Sequence, residues 1–146
     1  MIAWFQSLFR KFKSPNTGDL GESAAADFLI NMAGCRILAR NWRDPRDRRD
    51  ELDLIATVGE VLVFVEVKTR ANEAKVPGYY AVDKRKKRVV QRAARAYITR
   101  LREKPRTVRF DIVEVELPMR GTEDEPVVRH FENVPLFPKD FRQDGA

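Results

Sequence analysis

The chain has 146 residues, 43% of them hydrophobic, which is enough for one globular domain with its own core and argues against a disordered chain. Its longest apolar run, Val61–Val65, is far too short to span a bilayer, and a single cysteine, Cys35, excludes an internal disulfide and suits a reducing compartment. With 28 basic and 22 acidic residues the formal charge is +6, a modest excess that fits a nucleic-acid or anionic-membrane partner without requiring either.

In chain order, Phe5, Leu8, Phe9 and Phe12 recur at helical spacing with Arg10, Lys11 and Lys13 between them, so residues 1–16 read as a basic amphipathic segment. Its charges follow the apolar residues, the reverse of a secretory signal, and a cytoplasmic protein is expected. Residues 4–12 could touch a membrane surface, but packing on the domain is the preferred reading for a terminus. The main domain is expected over residues 17–137 and a tail over 138–146. Thr17 or Asp19 can cap a helix from Leu20 to Ala33, stopped by Gly34, with Glu22 on the same stripe as Ala26 and Leu29. Cys35–Asn41 reads as a strand and Asp44–Asp50 as a charged loop around Pro45.

Glu51–Thr57 and Val61–Thr69 both alternate as strands do. Gly59 and Glu60 suit a two-residue type II′ turn, which pairs Val58 with Val61 and sets Asp53 opposite Glu66. After a loop at Ala71–Ala81, Asp83 can cap a helix from Lys84 to Glu103 with the apolar stripe Val90, Ala94, Tyr97 and Leu101. Between Lys84 and Arg102 it carries nine basic residues and no acidic one. Thr107–Leu117 is a further strand and Val127–Phe131 a candidate short one. The order α-β-β-β-α-β, with room for one more strand, implies an α/β fold with a mixed sheet flanked by helices.

On the strand from Val61, the valines share one face while Leu62, Phe64, Glu66 and Lys68 share the other. Charges on a face that begins apolar are costly unless paired or bound to a metal. The hairpin adds Asp53, and the first helix can add Glu22. Two carboxylates can hold Mg²⁺ or Mn²⁺, which polarises a phosphate and lowers the pKa of a bound water. A neighbouring lysine can orient that water or stabilise the developing anion.

Asp53, followed thirteen residues later by Glu66-Val67-Lys68, matches the PD-(D/E)XK nuclease signature. Around it, GESAAADFL, ARNWR, ELDLIA, LVFVEVKTR, AARAYI, RFDIVEV and HFENV resemble the YraN-type family of uncharacterised bacterial proteins, from about Gly18 to Val134. The resemblance implies a restriction-endonuclease-like fold related to Holliday-junction resolvases. It implies a metal-dependent nuclease site with Asp53 and Glu66 as metal ligands, Lys68 catalytic, and Glu22 as the helix-borne acid. Gln91 falls on the helix where related nucleases carry a polar residue. The family glycine before Glu51 is replaced here by Asp50, which either widens a metal-binding cluster or alters substrate approach; a solvated loop is the third possibility.

The expected activity is phosphodiester hydrolysis of DNA, branched or structured DNA included, with Arg70, Lys84, Lys87 and Arg88 on the phosphates. Cations crowded along a helix repel, and an anionic partner relieves that repulsion. Two rivals stand beside it: a nucleic-acid-binding module with a vestigial site, and an adaptor in a repair or membrane-associated complex. His130, the only histidine, reads as an edge-strand residue, and Cys35 as a small buried one. A homodimer is left open, since paired cuts in a four-way junction need two sites.

Overall fold

The computed structural model describes residues 16–71 and 84–136. The amphipathic segment, the Asp83 cap and the tail all lie outside the described residues. The elements are α1 (Thr17–Asn31), β1 (Arg36–Asp44), β2 (Asp47–Val58), β3 (Val61–Ala71), α2 (Lys84–Thr99), β4 (Thr107–Leu117) and β5 (Val127–Phe131). They build one five-stranded mixed sheet in the order β1-β2-β3-β4-β5. Only β3 and β4 run parallel, as expected for strands joined through α2.

Three local features differ from expectation, each for a physical reason. α1 is capped by Asn16, not by Thr17 or Asp19. The Asn16 side chain accepts from the Asp19 N–H at 2.9 Å, and the Asp19 carboxylate accepts from the Asn16 N–H at 3.3 Å, a reciprocal capping box. The expected charged loop is a tight turn at Pro45-Arg46, with β2 starting at Asp47, so Asp50 lies in a strand. α2 ends at Thr99, short of Glu103, because Lys104 folds back to donate to the carbonyls of Ile98, Thr99 and Leu101 at 2.9–3.1 Å. The β2–β3 turn is as expected: Val58 pairs with Val61, and Gly59 alone of the two turn residues has positive φ, 56°.

The sheet's two faces carry two cores. On one, α1 lays Ala25, Ala26 and Leu29 over Leu54, Val63, Val65, Val67, Val113 and Val115. On the other, α2 lays Val90, Ala93, Ala94 and Ile98 over Leu62, Phe64, Phe110 and Ile112. Cys35 is buried beside the first. Gly21 sets how closely α1 approaches. A Cβ there would lie 1.7 Å from Thr69 Oγ1, so only a residue without a side chain lets the helix rest on β3.

At the β4–β5 edge, Asp111 is fully buried and accepts four hydrogen bonds. Two come from Arg109 at 2.8 Å, one from His130 Nε2 at 2.8 Å and one from the Asn133 N–H at 2.9 Å. His130 is therefore a member of a buried clasp, its ring also edge-on to Phe28 of α1. Burial alone would push the Asp111 carboxyl up, but the bonds from His130, Arg109 and Asn133 outweigh it and hold it below the ordinary value. Among the described residues no helix is long and apolar enough to cross a membrane.

Gly21→Ala should destabilise the fold by about 1–3 kcal/mol, as overpacking does, and Thr69→Ala in the same chain should recover part of the loss in a double-mutant cycle read by urea unfolding. Asp111→Ala should cost about 3–5 kcal/mol at pH 7, because it strands the Arg109 guanidinium and leaves the His130 and Asn133 donors without their acceptor. Since the native pKa of Asp111 is depressed, its contribution is present above the unfolded value, about 3.9, and is lost as pH falls through the lower native value. The stability gap between wild type and Asp111→Ala should narrow at the acid end.

Candidate functional site

The pairing of β2 with β3 runs from Val58↔Val61 to Leu54↔Val65 and ends there. One step further, Asp53 is level with Glu66, the register expected from the turn. Beyond that step β3 continues beside β4 as far as Ala71 while β2 stays with β1. The Val67 N–H would be orphaned at the point of parting, and it donates instead to the Asp53 carboxylate at 2.8 Å. Asp53 is thus held by the main chain of the strand that carries Glu66 and Lys68.

Side-chain alternation reverses at the same level. Leu54 and Ala56 enter the α1 core, whereas Leu52 and Ile55 enter the α2 core. On β1, Ala39 and Trp42 likewise both pack on the α2 core, and between them Asn41 adopts a left-handed backbone, φ 50°. Asn41 and Asp53 occupy the same level of the β1–β2 ladder, between the pairs Arg40↔Leu54 and Trp42↔Leu52. Both strands therefore turn over at one point, which releases Asp53 from either core. Asparagine tolerates that backbone better than most residues, and its side chain donates to Glu22 on α1.

Glu66 is 4% exposed. Lys68 Nζ lies 3.2 Å and Lys86 Nζ 3.3 Å from its Oε1. Asp53 is pushed up to about 7, first by burial and then by the Glu66 charge; the Val67 N–H and Lys86 pull the other way, and Glu22 adds to the rise. Glu22 is itself raised, chiefly by burial, with the Asn41 bond opposing and the carboxylates of Glu51, Asp19 and Glu66 adding to it. The Glu66 charge on β3 thus raises the cost of ionising both Asp53 on β2 and Glu22 on α1, and Lys86 offsets part of that cost at Asp53.

The remaining expected residues fall elsewhere. Arg70, nearly covered, lies 3.9 Å from the buried Glu114 on β4. Lys84 and Arg88 are exposed on α2, and Lys87 is half-buried. Gln91 donates to the Leu136 carbonyl, tying the chain after β5 to α2. Asp50 is buried and grips Arg92 of α2 through two bonds of 3.0 Å, so it is a strand-to-helix tie and not a solvated loop residue.

Sequence reasoning missed Lys86 and Asn41. Lys86 had a readable signal: it precedes Val90 by one helical turn and so shares the phase of the stripe that faces the sheet. Asn41 had a weaker one, a residue tolerant of left-handed backbone inside an otherwise regular strand.

The donors gathered at Asp53 and Glu66 are carboxylate oxygens, the chemistry preferred by Mg²⁺ and Mn²⁺. Among the described residues no three Asp, Glu, His or Cys side chains form a ready-made cage. The residues present fit an ion that takes one or two protein carboxylates and fills its other positions with water and phosphate, as Mg²⁺ does.

The raised pKa of Asp53 has a consequence for the metal-free protein. The native state holds a proton that the unfolded chain releases near pH 4, so stability falls as pH rises from about 4 through about 7. Asp53→Asn keeps an acceptor for the Val67 N–H and removes the charge. In EDTA it should raise the melting temperature by a few degrees at pH 8 and change little at pH 4.

Residues 21–115 match the uncharacterised protein family UPF0102. A UPF0102 protein of Symbiobacterium thermophilum is 48% identical over 103 residues, covering 70% of this chain and 84% of its own length. One of Trichlorobacter lovleyi is 40% identical over 117 residues, covering 80% and 87%. Another, of Mycobacterium tuberculosis, is 36% identical over 119 residues, covering 80% and 90%. The matched stretch contains Glu22, Asp53, Glu66, Lys68 and Lys86, and the chain belongs to UPF0102, the YraN-type family within the restriction-endonuclease-like superfamily.

Proposed function

We propose that this protein is a metal-dependent endonuclease that hydrolyses phosphodiesters in DNA, with branched or structured DNA among its substrates. The observation that carries the reading is the placement of Asp53 and Glu66 at the one point where β2 leaves β3. There a buried carboxylate and a half-buried one share a site with two lysines and are not consumed by core packing. Asp53 and Glu66 would hold Mg²⁺ or Mn²⁺. Such an ion would polarise the scissile phosphate and make a bound water acidic enough to attack at neutral pH.

The other roles follow from position. The Val67 N–H keeps Asp53 oriented. Lys68, anchored on Glu66, can hold the attacking water or meet the charge that builds on the phosphate oxygens. Glu22, steered by Asn41, can accept a hydrogen bond from that water or from the ion's hydration shell. The high pKa of Asp53 means that this carboxyl gains most from a divalent neighbour, which would displace its proton.

One observation favours a second reading. Both lysines already pair with Glu66 Oε1, as they would in a self-sufficient ion cluster, and a nucleic-acid-binding module with a vestigial site would look the same there. Calorimetric titration of Mg²⁺ and Mn²⁺ into the wild type and Glu66→Ala separates the two, run beside cleavage of duplex, single-stranded and four-way-junction DNA. The nuclease reading expects metal binding that Glu66→Ala abolishes and cleavage that requires metal. Equal heats for both proteins and intact DNA throughout would sink it.

A further inference from the structure

Between β2 and α2, two of the elements that build the acidic site, an open groove of about 450 Å³ is lined by Arg49, Asp50, Arg85, Arg88, Val89 and Arg92. Four of the six residues are arginines, contributed by β2 and by α2. The only acid among them, Asp50, is buried and spent on Arg92: its two oxygens accept from Nε and Nη2 at 3.0 Å each. That fork holds Arg92 in the groove wall while its side chain as a whole stays 60% exposed. Arg49, at the mouth, is partnered by Asp47 at 2.9 Å. Arg85 and Arg88 are exposed, and among the described residues no carboxylate pairs with either. Both stand in the first turns of α2, where the helix dipole disfavours cations and where Lys84, Lys86 and Lys87 add repulsion. Among the described residues too few anions answer this charge, an arrangement a polyanion would stabilise.

We propose that this groove docks the phosphodiester backbone of duplex nucleic acid, with Arg85 and Arg88 on phosphates and Asp50 as the positioning residue that aims Arg92. The identity of the ligand rests on the nuclease reading above. Arginine is the residue suited to such contacts, since its planar fork matches phosphate oxygens. The groove shares both of its elements with the acidic site. Asp50 is three residues before Asp53 on β2, and Lys86, which reaches Glu66, is the neighbour of Arg85 on α2. A backbone lying in it would be held beside Asp53 and Glu66. A single strand is the poorer fit, because none of the six lining residues is an aromatic on which bases could stack.

The test is fluorescence anisotropy of the full chain with a labelled DNA duplex over a range of salt, in EDTA so that no cleavage intrudes. Each phosphate contact removed lowers the log–log salt slope by about 0.9, so Arg85→Ala with Arg88→Ala should lower it by about 1.8. The control removes the same charge from Arg36 and Arg106, both exposed at the far end of the sheet, and should leave the slope nearly unchanged. Asp50→Asn removes a negative charge, which by charge alone would tighten binding. If Asp50 aims Arg92, affinity should instead fall, while a thermal melt shows the fold intact. No duplex binding by the wild type, equal slope changes in groove and control variants, or a loss seen only with single-stranded DNA would overturn the docking groove. Tighter binding by Asp50→Asn would overturn the role of Asp50. Groove-dependent binding by a chain that never cleaves would keep this inference and retire the nuclease; metal-dependent cleavage untouched by the groove variants would do the reverse.

Discussion

The separation of β2 from β3 beyond Leu54↔Val65 is the constraint on which the rest of the structure turns. A ladder that stops inside a sheet leaves main-chain donors without partners, and a buried orphan costs about 1–3 kcal/mol. Here the Val67 N–H is satisfied by a side chain, Asp53, and in being satisfied it fixes a carboxylate at the mouth of the gap. The local turn-over of β1 and β2 at Asn41 and Asp53 makes that geometry available, because it frees Asp53 from both cores while Leu52 and Leu54 on either side stay buried in opposite ones. Backbone satisfaction and placement of the acidic cluster are one event.

Charge is arranged around that gap in two tiers. Nearest the sheet, these buried acids are each met by at least one cation from another element: Glu66 by Lys86 as well as by Lys68 of its own strand, Asp50 by Arg92, Glu114 by Arg70 and Arg129. Further out, α2 carries Arg85 and Arg88, with which no carboxylate among the described residues pairs. The inner pairs tie α2 to β2 and β3 and so give the helix a definite rotation. That rotation sends Lys86 toward Glu66 and Arg85, Arg88 and Arg92 toward the groove. A single basic helix thereby serves two sides of one surface.

The remote edge is built differently. The Asp111 clasp joins β4, β5 and the following turn through charged hydrogen bonds inside the fold, and through the ring of His130 it touches Phe28 of α1. It accounts for the lone histidine and for one of the four buried acids among the described residues without reference to the site. Gly21 plays the complementary part for α1, whose distance from β3 sets where Glu22 and its Asn41 bond can lie.

Period, turn chemistry and the family motifs were enough to read β3 to β5, the part of β2 from Glu51 onward, the β2–β3 register and the juxtaposition of Asp53 and Glu66. These depend on alternation with a period of two and on a turn whose glycine must take positive φ, both properties of contiguous residues. The extent of β1, the Pro45-Arg46 turn and the start of β2 escaped, because a run of charged residues looks like a solvated loop unless the helix that pairs with it is known. Asp50 is buried only because Arg92, 42 residues away, faces it. Lys86, Asn41 and the arginine groove are of the same kind. Which of five consecutive cations, Lys84–Arg88, meets an acid and which faces outward depends on how α2 is rotated against the sheet. Long-range packing decides that rotation, and local spacing carries only its phase.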